Sequence, residues 1–213
     1  MLLKALIVAG GNRPSEALLK SYIEDVDIIV GADKGSEYLY DYNIMPDLIL
    51  GDFDSIDRNK LKIIENKNVE IIKFPPEKDY TDTEIAVMEA VKRGADTIYL
   101  FAAIGTRADH TLGNIGLMLK ARKEGISIIM VDDHNKMYLS EKNMILNGKP
   151  GETISFHALS EVVKGFKIRG AKYNLDSYDM HLLDPRAVCN EFLDTPINIS
   201  YENGELLIIH SVD

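Results

Sequence analysis

The sequence holds a single cysteine, Cys189, so no disulfide can form within the chain, which fits a reducing, cytoplasmic compartment. No apolar run approaches the roughly 18 residues of a membrane-spanning helix. The short apolar opening carries Lys4 and ends at Gly10-Gly11, and it reads as a buried first strand rather than a secretory leader. The G-x-x-x-x-G-K-[ST] loop of P-loop enzymes is missing. So are a G-x-S-x-G nucleophile elbow and any Cys/His spacing suited to zinc. Positive charge is also scarce. Lys and Arg number 24 against 34 Asp and Glu, a formal net charge of −10, so the surface should repel nucleic acid and anionic membranes. No internal repeat or low-complexity tract interrupts the chain.

Hydrophobic residues make up 46% and charged residues 27% of the 213 positions, the balance of a globular protein with a substantial core. Over the first two thirds, short apolar runs alternate with amphipathic stretches. Strands are expected at 3–9, 27–31, 46–50, 69–74, 97–103 and 126–131. Helices are expected at 14–25, 35–42, 57–66, 81–94 and from about Asp109 to Gly125. Thr81-Asp82-Thr83-Glu84 has the form of a capping box, with Thr at the cap and Glu three residues on. Alternating strands and helices predict a mainly parallel sheet with helices on both faces. Ligands on such sheets gather at the carboxyl ends of the strands.

After Asp133 the pattern changes. Asn147-Gly148-Lys149-Pro150-Gly151 is turn material, and short β-type runs follow at 153–159, 162–168, 197–201 and 205–210. Glu202-Asn203-Gly204 favours a hairpin between the last two. These features predict an α/β domain over residues 1–135 and a small antiparallel β-sandwich over 140–213.

Three polar clusters follow strands of the first domain. In Gly51-Asp52-Phe53-Asp54-Ser55, alternation along extended chain would aim Asp52 and Asp54 at one point. Paired carboxylates with an open side suit Mg²⁺, which keeps waters and shares phosphate oxygens; an exposed acidic turn is the alternative. In Glu77-Lys78-Asp79-Tyr80-Thr81-Asp82, Asp79 and Asp82 flank a helix N-terminus, a ready phosphate site, where Lys78 would offset charge and capping alone also accounts for Thr81. In Gly105-Thr106-Arg107-Ala108-Asp109-His110, the glycine permits close backbone approach to a phosphate and Arg107 offers a planar fork. Asp109 can orient that fork or cap the helix, and His110 is either a nucleotide contact or a structural hydrogen-bonding group. Gly10-Gly11 and Asp33-Lys34-Gly35 add two further polar strand ends. Metal, cationic clamps and positioning are what phosphoryl transfer asks of a protein.

With Ala9-Gly10-Gly11, Gly31-Ala32-Asp33-Lys34-Gly35, Pro46-Asp47, Gly51-Asp52-Phe53-Asp54-Ser55, Lys78-Asp79-Tyr80-Thr81-Asp82 and Arg107-Ala108-Asp109-His110-Thr111-Leu112-Gly113-Asn114 in this order, the chain resembles the thiamine pyrophosphokinases. In the second domain, Gly170-Ala171-Lys172-Tyr173-Asn174-Leu175 and Cys189-Asn190-Glu191 look like two further family segments. The resemblance implies diphosphate transfer from ATP to the hydroxyl of thiamine, yielding AMP. It implies a Mg²⁺ site at Asp52, Asp54, Asp79 and Asp82, with Arg107 joining them in catalysis. ATP would be met by Gly11, Asp33, Lys34, Lys78, Thr81, Arg107, Asp109 and His110. Thiamine would be met by Tyr173, Cys189, Asn190 and Glu191, in a homodimer that binds it where the subunits meet. Thr106 and Cys189 depart from the glycine and serine usual in the family, and a thiol is a weaker hydrogen-bonding group than a hydroxyl. A diphosphokinase acting on another alcohol, such as a hydroxymethylpterin, and a non-catalytic sensor are the rival readings.

Overall fold

The computed structural model describes residues 3–67, 69–75, 77 and 79–212. The expectation for Lys78 lies outside the described residues. The chain divides into two compact units, 1–133 and 134–213.

In the first unit, β1 (Leu3–Val8), β2 (Ile28–Ala32), β3 (Leu48–Gly51), β4 (Glu70–Lys73), β5 (Ala95–Phe101) and β6 (Ser127–Val131) alternate with five helices. These are α1 (Glu16–Ile23), α2 (Lys34–Asp41), α3 (Arg58–Glu65), α4 (Asp82–Lys92) and α5 (Ala108–Lys123). The strands run in the order β6-β5-β1-β2-β3-β4, and every pairing is parallel. Leu6 and Val8 of β1 pack with Leu19 of α1, Leu39 of α2 and Phe101. Ala5 and Ile7 point the other way and are as fully buried, and α4 lies against β1, β2, β3 and β5. Burial on both faces explains why these strands read as continuous apolar runs.

The chain moves outward from β1 through β2, β3 and β4, then returns to lay β5 and β6 on the other side. The order therefore reverses between β1 and β5, and ligand crevices form at such a reversal. There the two strand ends are stitched together: Gly11 donates to the Ala102 carbonyl at 2.7 Å and Asn12 to the Ile104 carbonyl at 2.8 Å. A Cβ at Gly11 would run into both carbonyls.

The second unit opens at His134, ahead of the expected residue 140, because β7 (Asn135–Leu139) pairs with the final strand. Then come β8 (Asn143–Leu146), β9 (Thr153–Ala158), β10 (Val162–Arg169), β11 (Leu175–His181), β12 (Asn190–Glu191), β13 (Ile197–Ser200) and β14 (Leu206–Ser211). One layer runs β12-β9-β14-β7 and the other β11-β10-β13-β8, all antiparallel. Ile154, Phe156 and Ile208 of the first layer meet Phe166, Met180 and Ile199 of the second in a shared core.

The expected hairpin at Glu202-Asn203-Gly204 does not form. β13 pairs with β8 and β10, and β14 with β7 and β9, so the turn carries the chain from one layer to the other. Lys164 anchors it, donating to the Asn203 carbonyl and accepting from Glu202 N–H.

Candidate active site

A cleft of about 590 Å³ opens at the carboxyl ends of the parallel strands. Gly11 after β1, Asp33 and Lys34 after β2, Asp52 and Asp54 after β3, and Arg107 after β5 all line it, together with Thr81 and Asp82 at the start of α4 and His110 of α5. Nine of the residues expected from the sequence therefore meet in one place. Asp109 lines an adjoining groove instead, and Asp79 is exposed and outside the cleft lining. The buried Asn114 also reaches the cleft, where its Nδ2 donates to the Ala103 carbonyl at 2.7 Å. Its place at the end of R-x-D-H-x-L-x-N was the signal for it in the sequence.

The loop after β3 reaches the expected result by a different backbone. Phe53 is left-handed, with φ of 61°, rather than extended. Its ring is buried with Ile49, Ile56 and Ile64, and Asp52 and Asp54 still face the cleft. Asp52 Oδ1 accepts the Asp54 N–H at 3.0 Å, a turn closed by the aspartate itself.

Asp33 ties this loop to the neighbouring strand end. It precedes α2, yet its side chain makes no cap hydrogen bond; Oδ1 instead accepts the Phe53 N–H at 3.2 Å. Its own φ is 46°, a strained value for a non-glycine residue. Burial first, and then the neighbouring Asp82 and Asp52 carboxylates, push the Asp33 carboxyl up to about 7, against the pull of the Phe53 N–H. Crowded carboxylates of this kind are stabilised by a cation.

Among the described residues, no three His, Cys, Asp or Glu side chains close into a ready-made metal cage. Mg²⁺ does not require one, because it takes one or two carboxylates and completes its shell with water and phosphate oxygens. The oxygen-only donor set and the charge crowding at Asp33 fit that ion.

The basic groups are held differently. Lys34 Nζ donates to Glu37 Oε2 at 2.6 Å and to the Ser55 carbonyl at 3.3 Å. Arg107 Nη2 pairs with Asp109 Oδ2 at 2.5 Å on the surface, and Arg107 holds the Asp109 carboxyl down at about 2. The expected capping box is half formed: Thr81 Oγ1 accepts the Glu84 N–H at 3.1 Å, whereas Glu84 Oε1 accepts from Lys120 at 2.7 Å.

In the second unit, a pocket of about 280 Å³ is lined by Ile168, Tyr173, Leu175, Arg186, Val188 and Asn190 among others. Asn190 is buried and its amide serves the backbone. Oδ1 accepts the N–H groups of Tyr173 at 3.0 Å and Glu191 at 2.9 Å, and Nδ2 donates to the Tyr173 carbonyl at 2.7 Å. Tyr173 is thus gripped at both backbone groups while its side chain stays exposed. Glu191 pairs with Lys172 at 2.6 Å. Cys189 is exposed, with φ of 55°; its N–H donates to Ser155 Oγ at 3.0 Å.

The chain matches two family models: "Thiamin pyrophosphokinase, catalytic domain" over residues 19–130 and "Thiamin pyrophosphokinase, vitamin B1 binding domain" over 142–206. It is 33% identical over 209 residues to the thiamine pyrophosphokinase of Bacillus subtilis (strain 168), covering 97% of this chain and 98% of that one. A crystal structure of the thiamine pyrophosphokinase from Bacillus subtilis superimposes with a TM-score of 0.88 at 31% identity, covering 99% of both chains. A thiamin pyrophosphokinase family protein from Enterococcus faecalis does so with 0.85 at 29% identity, again over 99% of both. A transferase cleft in the first unit, a sandwich in the second and these matches along nearly the whole length place the chain in the thiamine pyrophosphokinase family.

Proposed function

We propose that the chain transfers a diphosphate group from ATP to thiamine. The thiamine hydroxyl oxygen bonds to the β-phosphorus as the bond from that phosphorus to the α,β-bridging oxygen breaks. AMP departs with the bridging oxygen, and the hydroxyl proton is released to water. The observation that carries this reading is the meeting of Asp33, Asp52, Asp54 and Asp82 with Lys34 and Arg107 in one cleft at the strand ends.

Asp52, Asp54 and Asp82, backed by Asp33, are the residues that would hold Mg²⁺; the ion, when bound, offsets phosphate charge. Asp79, outside the cleft lining, is left out of that set. The first turn of α4 supplies backbone N–H groups and the positive end of a helix dipole. Gly11 lets the β1 loop come close to a phosphate. Arg107, exposed at the mouth, supplies a planar fork for the charge in flight. Tyr173, held by Asn190, offers an aromatic face to the planar, cationic thiazolium ring of thiamine. A homodimer and a cytoplasmic setting, where ATP is abundant, complete the proposal.

The test is incubation with ATP, Mg²⁺ and thiamine, with AMP and thiamine diphosphate quantified. Equal amounts of the two, lost on chelation of the metal, are expected. AMP formed with a hydroxymethylpterin and not with thiamine would move the error to the acceptor. No AMP with either would make the protein a sensor. Sedimentation of the full chain tests the dimer.

A further inference from the structure

Glu37 lies outside the cleft lining yet joins two parts of its wall. It sits one helical turn after Lys34 in α2, with 12% of its side chain exposed. Oε2 accepts Lys34 Nζ at 2.6 Å and the Asp57 N–H at 3.3 Å, and Oε1 accepts Lys60 Nζ at 2.8 Å. Lys34 in turn reaches the Ser55 carbonyl at 3.3 Å, and Lys60 is held from its other side by Asp41 at 2.6 Å. One carboxylate therefore connects a lysine of the cleft to the far end of the 51–57 segment, which carries Asp52, Asp54 and Ser55.

We propose that Glu37 is a positioning residue for the nucleotide: it presets Lys34 and the aspartate-bearing segment without touching the ligand. This rests on the nucleotide reading of the cleft. Lysine sits on a flexible four-carbon stem, and its ordering costs rotamer entropy unless a partner has already fixed it. Preorganised charge is what favours a polyphosphate and its transition state. An isolated surface pair would lack these features, since it is exposed on both sides and has one partner; Glu37 is largely buried and gathers three donors from two elements.

The experiment measures ATP binding by calorimetry, with Mg²⁺ present, for the full chain and for Glu37→Gln, Lys34→Met and the double variant, each checked for folding by thermal melt. Glu37→Gln should weaken ATP about tenfold, and Lys34→Met by a similar factor. The double variant should lose clearly less than the product of the two single losses, because the share of the Glu37 effect that acts through Lys34 is already gone. ATP binding by Glu37→Gln equal to that of the unaltered chain would overturn the proposal, as would losses that multiply to about a hundredfold. Should Glu37→Gln fail to fold, Glu37→Asp keeps the charge and shortens the arm. A threefold to tenfold loss supports the proposal and no loss overturns it. Failure of the unaltered chain to bind ATP at all would instead sink the nucleotide reading itself.

Discussion

Asp33 Oδ1 accepts the backbone N–H of Phe53 at 3.2 Å, joining the end of β2 to the loop that follows β3. The bond has room because residue 51 is glycine: φ there is +145°, and a Cβ would collide with Asp33 Oδ1. Gly51→Ala should therefore lower the melting temperature and cut turnover together, by about 2 kcal/mol or more in stability for the strained backbone and the displaced carboxylate. A melt with normal stability and full turnover would refute this reading of the loop.

Asp33→Asn keeps an acceptor for the Phe53 N–H and removes one negative charge from beside Asp82 and Asp52. The expected result is a metal-free melting temperature equal to or above that of the unaltered chain. Added Mg²⁺ should then raise the melt of the variant less, and turnover should fall at least tenfold. Melting curves with and without Mg²⁺ check all of this.

Arg107 and Asp109 are exposed, with 67% and 63% of their side chains accessible. Such an exposed pair adds little to stability. Arg107→Ala should leave the melt within about 2 °C. Steady-state kinetics should show turnover reduced by about a hundredfold or more, since the guanidinium acts on the phosphates rather than on the fold.

Asn190 and Tyr173 separate in the opposite sense. Asn190→Ala empties a buried site that satisfies three backbone groups and should cost about 2–4 kcal/mol. Tyr173→Ala should leave stability nearly unchanged and raise the KM for thiamine about tenfold. Denaturant melts and thiamine titrations of the two variants test the pairing.

Glu37 gives the pH dependence its sign. Burial alone would raise its carboxyl, but hydrogen bonds from Lys34 and Lys60, with the Asp57 N–H, hold it down at about 2. A folded-state value below the unfolded one stabilises the protein above the unfolded value of about 4.5. That contribution is lost as pH falls toward 2. The lowering corresponds to no more than about 3.4 kcal/mol, a figure that solvent screening reduces. The stability gap between the unaltered chain and Glu37→Gln should be widest above pH 5 and should narrow steadily below it in acid titrations followed by circular dichroism.

The α/β unit was readable because its signals are local and agree with one another. Doubly buried strands are apolar runs, helices carry caps at Ser15, Asp57 and Thr81, and the charged residues fall at strand ends, where ligands bind. The β-sandwich was less legible. β11 reads Leu-Asp-Ser-Tyr-Asp-Met-His, and Ser177 at φ of 52° breaks the period of two, so Leu175, Tyr178 and Met180 can all serve the core side of β10. Asn203-Gly204 has the chemistry of a hairpin turn, but the choice between returning in one layer and crossing to the other depends on distant strands. Within the site, residue identities were visible while partners were not. Asn190 lines the pocket as a ligand contact would, while its hold on the Tyr173 and Glu191 backbone had no sequence signal, and Glu37 carried no motif because its role depends on Lys60 and Asp57, more than 15 residues away in sequence.

The central claim, one-step diphosphate transfer, is tested most directly with ATP labelled at the β-phosphorus, in the presence of Mg²⁺ and thiamine. The label should appear in thiamine diphosphate, with unlabelled AMP formed in equal amount and no thiamine monophosphate on the way. Label retained in ADP, or product carrying only the γ-phosphoryl group, would contradict it.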